Sequence, residues 1–260
     1  MPTGANLKPQ LFSRFQHFLR AADRSKLLAH AELAYSGLLA RNLQPLVYLI
    51  ETFWSPKRRP IQALQQSNEH TLRTTLEAFW YDSACTAELR LVMKCRTAYS
   101  SHRLGFVDLV ILGGTVVPCL ELKNFTLEQL WRGEHGASGA NPPPESLNEL
   151  RNRLMEETEA DLLSRSVRFW DGITQRSRVT TVESIKRDAI QQITRYLEVM
   201  KNGSAQSDSG GVCDQRVKCC QGGAELVGYV VIGLGATRIL AYEAKTETTL
   251  YSYNASHGEL

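Results

Sequence analysis

The sequence predicts an α/β layered fold with a mixed central sheet flanked by helices. Three observations carry the prediction. Apolar residues recur at helical spacing through the first third of the chain. Two apolar, β-rich runs then meet at Gly113-Gly114, a strong two-residue hairpin signal. A well-patterned helix and a second pair of strand-like runs close the chain, so the order is helix, three strands, helix, two strands.

In chain order, residues 8 to 52 read as helical, with Leu11, Phe15, Phe18 and Leu19 and then Leu27, Leu28, Ala31, Leu33 and Leu38 at helical spacing, interrupted by Pro45. Ser55 to Pro60 is a basic, proline-flanked connector. This separates a helical N-terminal region, 1–60, from an α/β region, 61–260. Ile61 to Asp82 repeats the helical pattern, with Leu64, Leu72, Leu76, Phe79 and Trp80 on one side. Ala87 to Cys95 alternates and reads as a strand, followed by strands Leu104–Leu112 and Thr115–Lys123. Residues 133 to 146, rich in Gly and Pro, are expected to be irregular. They belong to a charged insertion near 132–180, helical in part around Leu147 to Leu163. A helix is expected from Val182 to Met200, a loop from Asn202 to Gly223, and strands at Glu225–Ile232 and Thr237–Tyr242.

Composition narrows the function classes. With 260 residues, 43% hydrophobic and 22% charged, the chain is globular, neither disordered nor collagen-like. A net charge of +3 is too small to argue for nucleic acid, so the distribution of charge must carry that case. No run of eighteen apolar residues exists, so no membrane association is expected. The first residues lack the apolar core of a secretory signal, and no C-x-x-C pair occurs among the six cysteines. The expected location is intracellular, in nucleus or cytoplasm. There is no phosphate-binding G-x-x-x-x-G-K-[ST] loop, so any ATPase or targeting function would come from a protein partner.

The hairpin carries the chemistry. A two-residue turn at Gly113-Gly114 sets Leu112 opposite Thr115, Val110 opposite Val117, Asp108 opposite Cys119 and Phe106 opposite Glu121. Opposed residues share a face. Asp108, Glu121 and Lys123 therefore project together, while Val107, Leu109, Ile111, Val116, Pro118, Leu120 and Leu122 form an apolar face. Two diagonal carboxylates at this spacing can share one hard cation, and an ammonium beside them can stabilise developing negative charge.

An Asp on one strand and Glu-x-Lys on the next, GFVDLVILGGTVVPCLELK, resembles the signature hairpin of the PD-(D/E)XK nuclease superfamily, with Val107 where the family has proline. Gln192-Ile-Thr-Arg-Tyr196 is similar to the Q-x-x-x-Y motif of RecB-like members, and its Gln and Tyr, four apart, share a helix face. The stretch from about 61 to 243 resembles the nuclease-like domain of AAA-ATPase-like proteins. The resemblance implies a restriction-endonuclease-like core, αβββαβ, over 61–260. It implies an Mg²⁺-dependent deoxyribonuclease, with Mn²⁺ able to substitute. Asp108, Glu121 and Lys123 would be catalytic. Asp108, Glu121, the Leu122 carbonyl and a helix glutamate would hold the metal. Glu69 in S-N-E-H lies nearest the family pattern for that glutamate, with Glu77 and Glu88 as competitors. Gln192, Tyr196 and Arg195 would contact DNA. Further basic candidates are Lys57, Arg58 and Arg59, and a spread including Arg151, Arg165, Arg168, Arg176, Arg178, Lys186 and Arg187, interleaved with Phe169 and Trp170. The alternative is a catalytically inactive module of the same fold that binds DNA or protein.

Overall fold

A computed structural model describes residues 21–54, 69–80, 85–93, 104–112, 115–136, 141–171, 175–206, 209–214, 216–217, 224–244 and 249–252. The connector Ser55–Pro60, with Lys57, Arg58 and Arg59, and the Gly113-Gly114 pair lie outside the described residues.

Helix α1 (Ala21–Leu39) buries Leu27, Ala31, Ala34 and Leu38, one stripe at helical spacing. The stripe is narrower than the sequence suggested, since Leu28 and Leu33 are exposed. Helix α2 (Gln44–Trp54) has Pro45 in its first turn, where no intrahelical N–H is needed, and Asn42 Oδ1 accepts the Gln44 N–H. Helix α3 (Glu69–Phe79) buries Leu72, Leu76 and Phe79.

Strands β1 (Cys85–Val92), β2 (Leu104–Ile111) and β3 (Val116–Phe125) follow. Next come α4 (Leu127–His135), α5 (Pro144–Glu156), α6 (Glu159–Ser164) and a separate hairpin, β4 (Ser166–Asp171) with β5 (Arg176–Thr181). Helix α7 (Val182–Met200) and strands β6 (Gly211–Val212), β7 (Glu225–Leu234), β8 (Arg238–Glu243) and β9 (Thr249–Ser252) complete the order. The central sheet runs β6-β1-β2-β3-β7-β8-β9. It is mixed, because β3 and β7 pair in parallel while the other named strand pairs are antiparallel.

Each face of the sheet carries one apolar layer. Helices α1–α3 pack on one side with Leu109, Ile111, Leu120, Leu122 and Val231. Helix α7 packs on the other with Val110, Cys119, Val230 and Ile232, joined there by the insertion helices through Leu130, Leu150 and Leu162. Polar ties stitch the layers. The Tyr229 hydroxyl donates to the Leu38 carbonyl at 2.9 Å, and the Ile239 N–H donates to Glu51 Oε1. Arg238, fully buried, donates from Nη1 to the carbonyls of Leu154, Met155 and Glu157, closing the C-terminal end of α5.

The α/β class and the mixed sheet agree with expectation, and α7 has the predicted bounds. The insertion differs. Residues 133–135 are the end of α4 and 144–146 the start of α5. A local signal was present for α4: Thr126 and Gln129 form a capping box, each side chain bonded to the other's backbone N–H. The β4–β5 hairpin was not expected, because its strands are short and charged.

The hairpin register also differs. Leu109 pairs with Leu120 and Val110 with Cys119, so Cys119 faces Val110 and not Asp108. The shift is two residues from a two-residue turn. Its cause lies in the neighbours: the Thr115 carbonyl accepts the Glu225 N–H of β7 at 2.7 Å, and the Leu112 carbonyl accepts the Tyr35 hydroxyl of α1. An even shift preserves the faces.

Candidate functional site

Continuing the observed register by one residue brings Asp108 directly opposite Glu121. Here β2 and β3 part company. In place of a strand partner, the Leu122 N–H donates to Asp108 Oδ2 at 2.7 Å. The parting coincides with an irregularity in β1, where Glu88 has φ +50°. Ala87 and Leu109 lie in the layer of α1–α3, whereas Leu89 and Val107 lie in the layer of α7. The strict alternation expected for β2 thus fails at one point, and Val107 joins the opposite layer from Leu109. The irregular turn of chain is held from outside: Arg216 Nη2 donates to the carbonyls of Ala87 and Glu88, and Asp214 accepts from Arg216 and from the Arg90 N–H.

Into this fork project Asp108, Glu121 and Lys123. Glu121 is 1% exposed. Lys123 Nζ donates to Glu121 Oε1 at 2.6 Å and lies 3.6 Å from Glu69 Oε2 at the start of α3. The other Glu121 oxygen, Oε2, is buried without a hydrogen-bond partner. Burial raises the protonation range of Glu121 above that of an ordinary carboxylate; Lys123 pulls it back, and Asp108 and Glu69 push it further up. Asp108 is raised as well, by burial first, against the pull of Lys123. Burial lowers the Lys123 ammonium, but Glu121, Glu69 and Asp108 together hold it above its ordinary value. The charged lysine and a shared set of carboxylates therefore define each other.

The competing glutamates, Glu69 and Glu77 on α3 and Glu88 on β1, have different partners. Glu69 reaches Lys123. Glu77 and Glu88 both pair with Arg73, at 3.5 and 2.6 Å. Arg73, four residues after Glu69 and near enough to lower Asp108, was overlooked; the E-x-x-x-R spacing on one helix face was its signal.

Helix α7 closes the site. The Gln192 amide donates to the Tyr196 hydroxyl at 3.0 Å. The Tyr196 ring lies against Gly105, where a Cβ would come within 2.7 Å of its edge. Gly105 was not singled out from the sequence. Gln192, Arg195, Tyr196, Asp188 and Gln191 line a surface cavity of about 390 Å³. Arg195 is exposed there.

Two of the expected basic contacts are structural. Arg165 is buried between Glu134 and Glu157. Lys186 is buried too, paired with Glu183 and lying 5.0 Å over the Tyr242 ring. Arg176, Arg178 and Arg187 are exposed, and Arg151 and Arg168 are half-buried.

For a divalent cation, the donor chemistry fits: three carboxylates of Asp108, Glu121 and Glu69, with a buried oxygen left unpartnered. Among the described residues, however, no group of three or more His, Cys, Asp or Glu side chains is already gathered around one metal position. Lys123 lies between Glu121 and Glu69 instead. No helix among the described residues is long and apolar enough to cross a membrane. No family model, curated protein or solved structure matches this chain.

Proposed function

We propose that the chain is a metal-dependent nuclease that hydrolyses phosphodiester bonds in DNA, built on a restriction-endonuclease-like core of α3, β1–β3, α7 and β7. The observation that carries the reading is the buried, unpartnered Oε2 of Glu121 beside Asp108 and Lys123. An orphaned carboxylate oxygen in the interior is costly, and a cation would satisfy it.

In this reading Asp108, Glu121, Glu69 and the Leu122 carbonyl hold Mg²⁺ or Mn²⁺. When bound, the metal acidifies a water and offsets charge on the phosphoryl oxygens. Lys123 orients the attacking water and stabilises the same developing charge. Gln192 and Tyr196 present a fixed pair of polar groups, and Arg195 an exposed charge, to the strand. The Leu122 N–H keeps Asp108 aimed into the fork.

The test is cleavage of single-stranded, duplex and branched DNA with Mg²⁺ or Mn²⁺. Chelation, Asp108→Ala and Glu121→Ala should each abolish it. Lys123→Ala should slow single-turnover cleavage by about 10²–10³-fold while Mn²⁺ binding by calorimetry survives. No cleavage of any substrate by the wild type would overturn the reading. It would favour the second one, a catalytically inactive module of the same fold that binds DNA or protein. The Lys123 ammonium, bonded to Glu121 and 3.6 Å from Glu69, occupies the space between two of the carboxylates and favours that second reading.

A further inference from the structure

We propose that Phe106, with Arg90 and Leu104 beside it, forms a base-stacking platform that selects single-stranded DNA for the Asp108–Glu121 site. The inference rests on the nuclease reading above and names the substrate class of that site.

Phe106 is 41% exposed and Leu104 46%, two large apolar side chains left in water on consecutive same-face positions of β2. Arg90 is the cross-strand partner of Phe106, so the two share a face, and Arg90 is exposed as well. The nearby acids are already occupied: Glu88 pairs with Arg73, and Asp214 with Arg216. The patch therefore combines an aromatic ring, an aliphatic side chain and a cation whose nearest acids are neutralised elsewhere.

The ring is also held in place. The residue before it, Gly105, packs against the Tyr196 ring, whose hydroxyl is bonded to Gln192, so the strand beneath Phe106 is held although β3 has left it. Asp108 follows two residues on, about 7 Å along the strand, which is within reach of one nucleotide. A base stacked on Phe106 would therefore set the adjoining phosphate at the carboxylates. Such stacking requires a free π-face. Bases of a duplex already spend theirs on each other, whereas those of a single strand can be splayed onto an aromatic ring with a cation beside it.

The experiment uses the full chain carrying Asp108→Ala, to prevent cleavage, with Mg²⁺ present. Fluorescein-labelled 12-mers of single-stranded DNA, duplex DNA and RNA are titrated by anisotropy. Single-stranded DNA should bind tighter than duplex. Adding Phe106→Ala should weaken single-strand binding by about 5- to 100-fold, the range measured for loss of one stacked base. Duplex binding should stay unchanged, and Phe106→Trp should restore single-strand affinity. Circular dichroism establishes that each variant is folded. Equal losses on single strand and duplex, or no loss, would overturn the platform; tighter binding of RNA would overturn the assignment to DNA. The two readings fail differently. If the wild type cleaves nothing but single-strand binding depends on Phe106, the nuclease reading falls and the platform stands. If the wild type cleaves and Phe106→Ala changes no affinity, the platform falls alone.

Discussion

Glu121 ties the chemistry of the site to the stability of the protein. Burial lifts its protonation to about pH 8 in the folded chain, against about 4.3 for an exposed glutamate. The folded state therefore keeps a proton that the unfolded chain releases. This contribution to stability is fully present below the ordinary carboxylate range and is lost as pH rises through about 8. Metal-free protein should thus weaken between about pH 4.5 and 8, and Glu121→Gln should flatten that slope. Urea midpoints in chelator at pH 5 and 8.5 measure it, and an unchanged slope in Glu121→Gln would remove Glu121 as the cause. Mg²⁺ should restore wild-type stability at the higher pH, because binding to the folded state alone favours it. Gly105 offers a second test at this scale. A methyl there would meet both the Tyr196 ring and Met93 Sδ at 2.7 Å. Gly105→Ala should cost about 1–3 kcal/mol and reduce cleavage by displacing Tyr196. Cleavage at the wild-type rate would show that the position of Tyr196 does not matter.

Between the third strand and the long helix, the insertion is anchored by close approach and by caps. Helix α4 packs so tightly on β4 that a Cβ at Gly133 would fall 2.1 Å from the Ser166 carbonyl oxygen. Backbone cannot yield as a flexible side chain does, so Gly133→Ala should cost about 1–3 kcal/mol or more. Thr126→Ala, which removes the cap of the same helix, should cost about 1 kcal/mol. Urea denaturation measures both. Hydrogen exchange should further show Gly133→Ala losing protection in β4 and β5 before the central sheet. Loss spread evenly over the molecule would mean that the insertion does not open on its own.

The whole molecule is organised by the sheet, which separates the N-terminal helices from the insertion and α7. Helices α1 and α2 share a core with β2, β3, β7 and β8, and Tyr229 and Glu51 add polar ties across it. The N-terminal region should therefore unfold together with the sheet. Tyr229→Phe, which removes the hydroxyl's bond to the Leu38 carbonyl but leaves that carbonyl its bond from the Arg41 N–H, should lower stability by about 0.5–1.5 kcal/mol and shift one transition without splitting it. Coincidence of near- and far-ultraviolet circular dichroism during the urea transition checks this. Two separated transitions would make the N-terminal helices a unit of their own.

Local pattern was enough to place α7 and strands β1–β3, β7 and β8, whereas β6, inside the expected loop, and β9 were not read from it. Helical spacing and strand alternation are properties of a few neighbouring residues, and each is written along the chain. Register was not legible, because it depends on what the strand ends bond to: Glu225 takes the Thr115 carbonyl and Tyr35 the Leu112 carbonyl, from elements 110 and 77 residues away. That Glu69 lies beside Lys123 while Glu77 and Glu88 pair with Arg73 was likewise decided by tertiary structure. So was the change of layer at Val107, made by a left-handed residue in the neighbouring strand. Arg165 and Lys186 read as surface charges because sequence carries charge but not depth; only the packing of α4, α6 and α7 sealed them beside their glutamates.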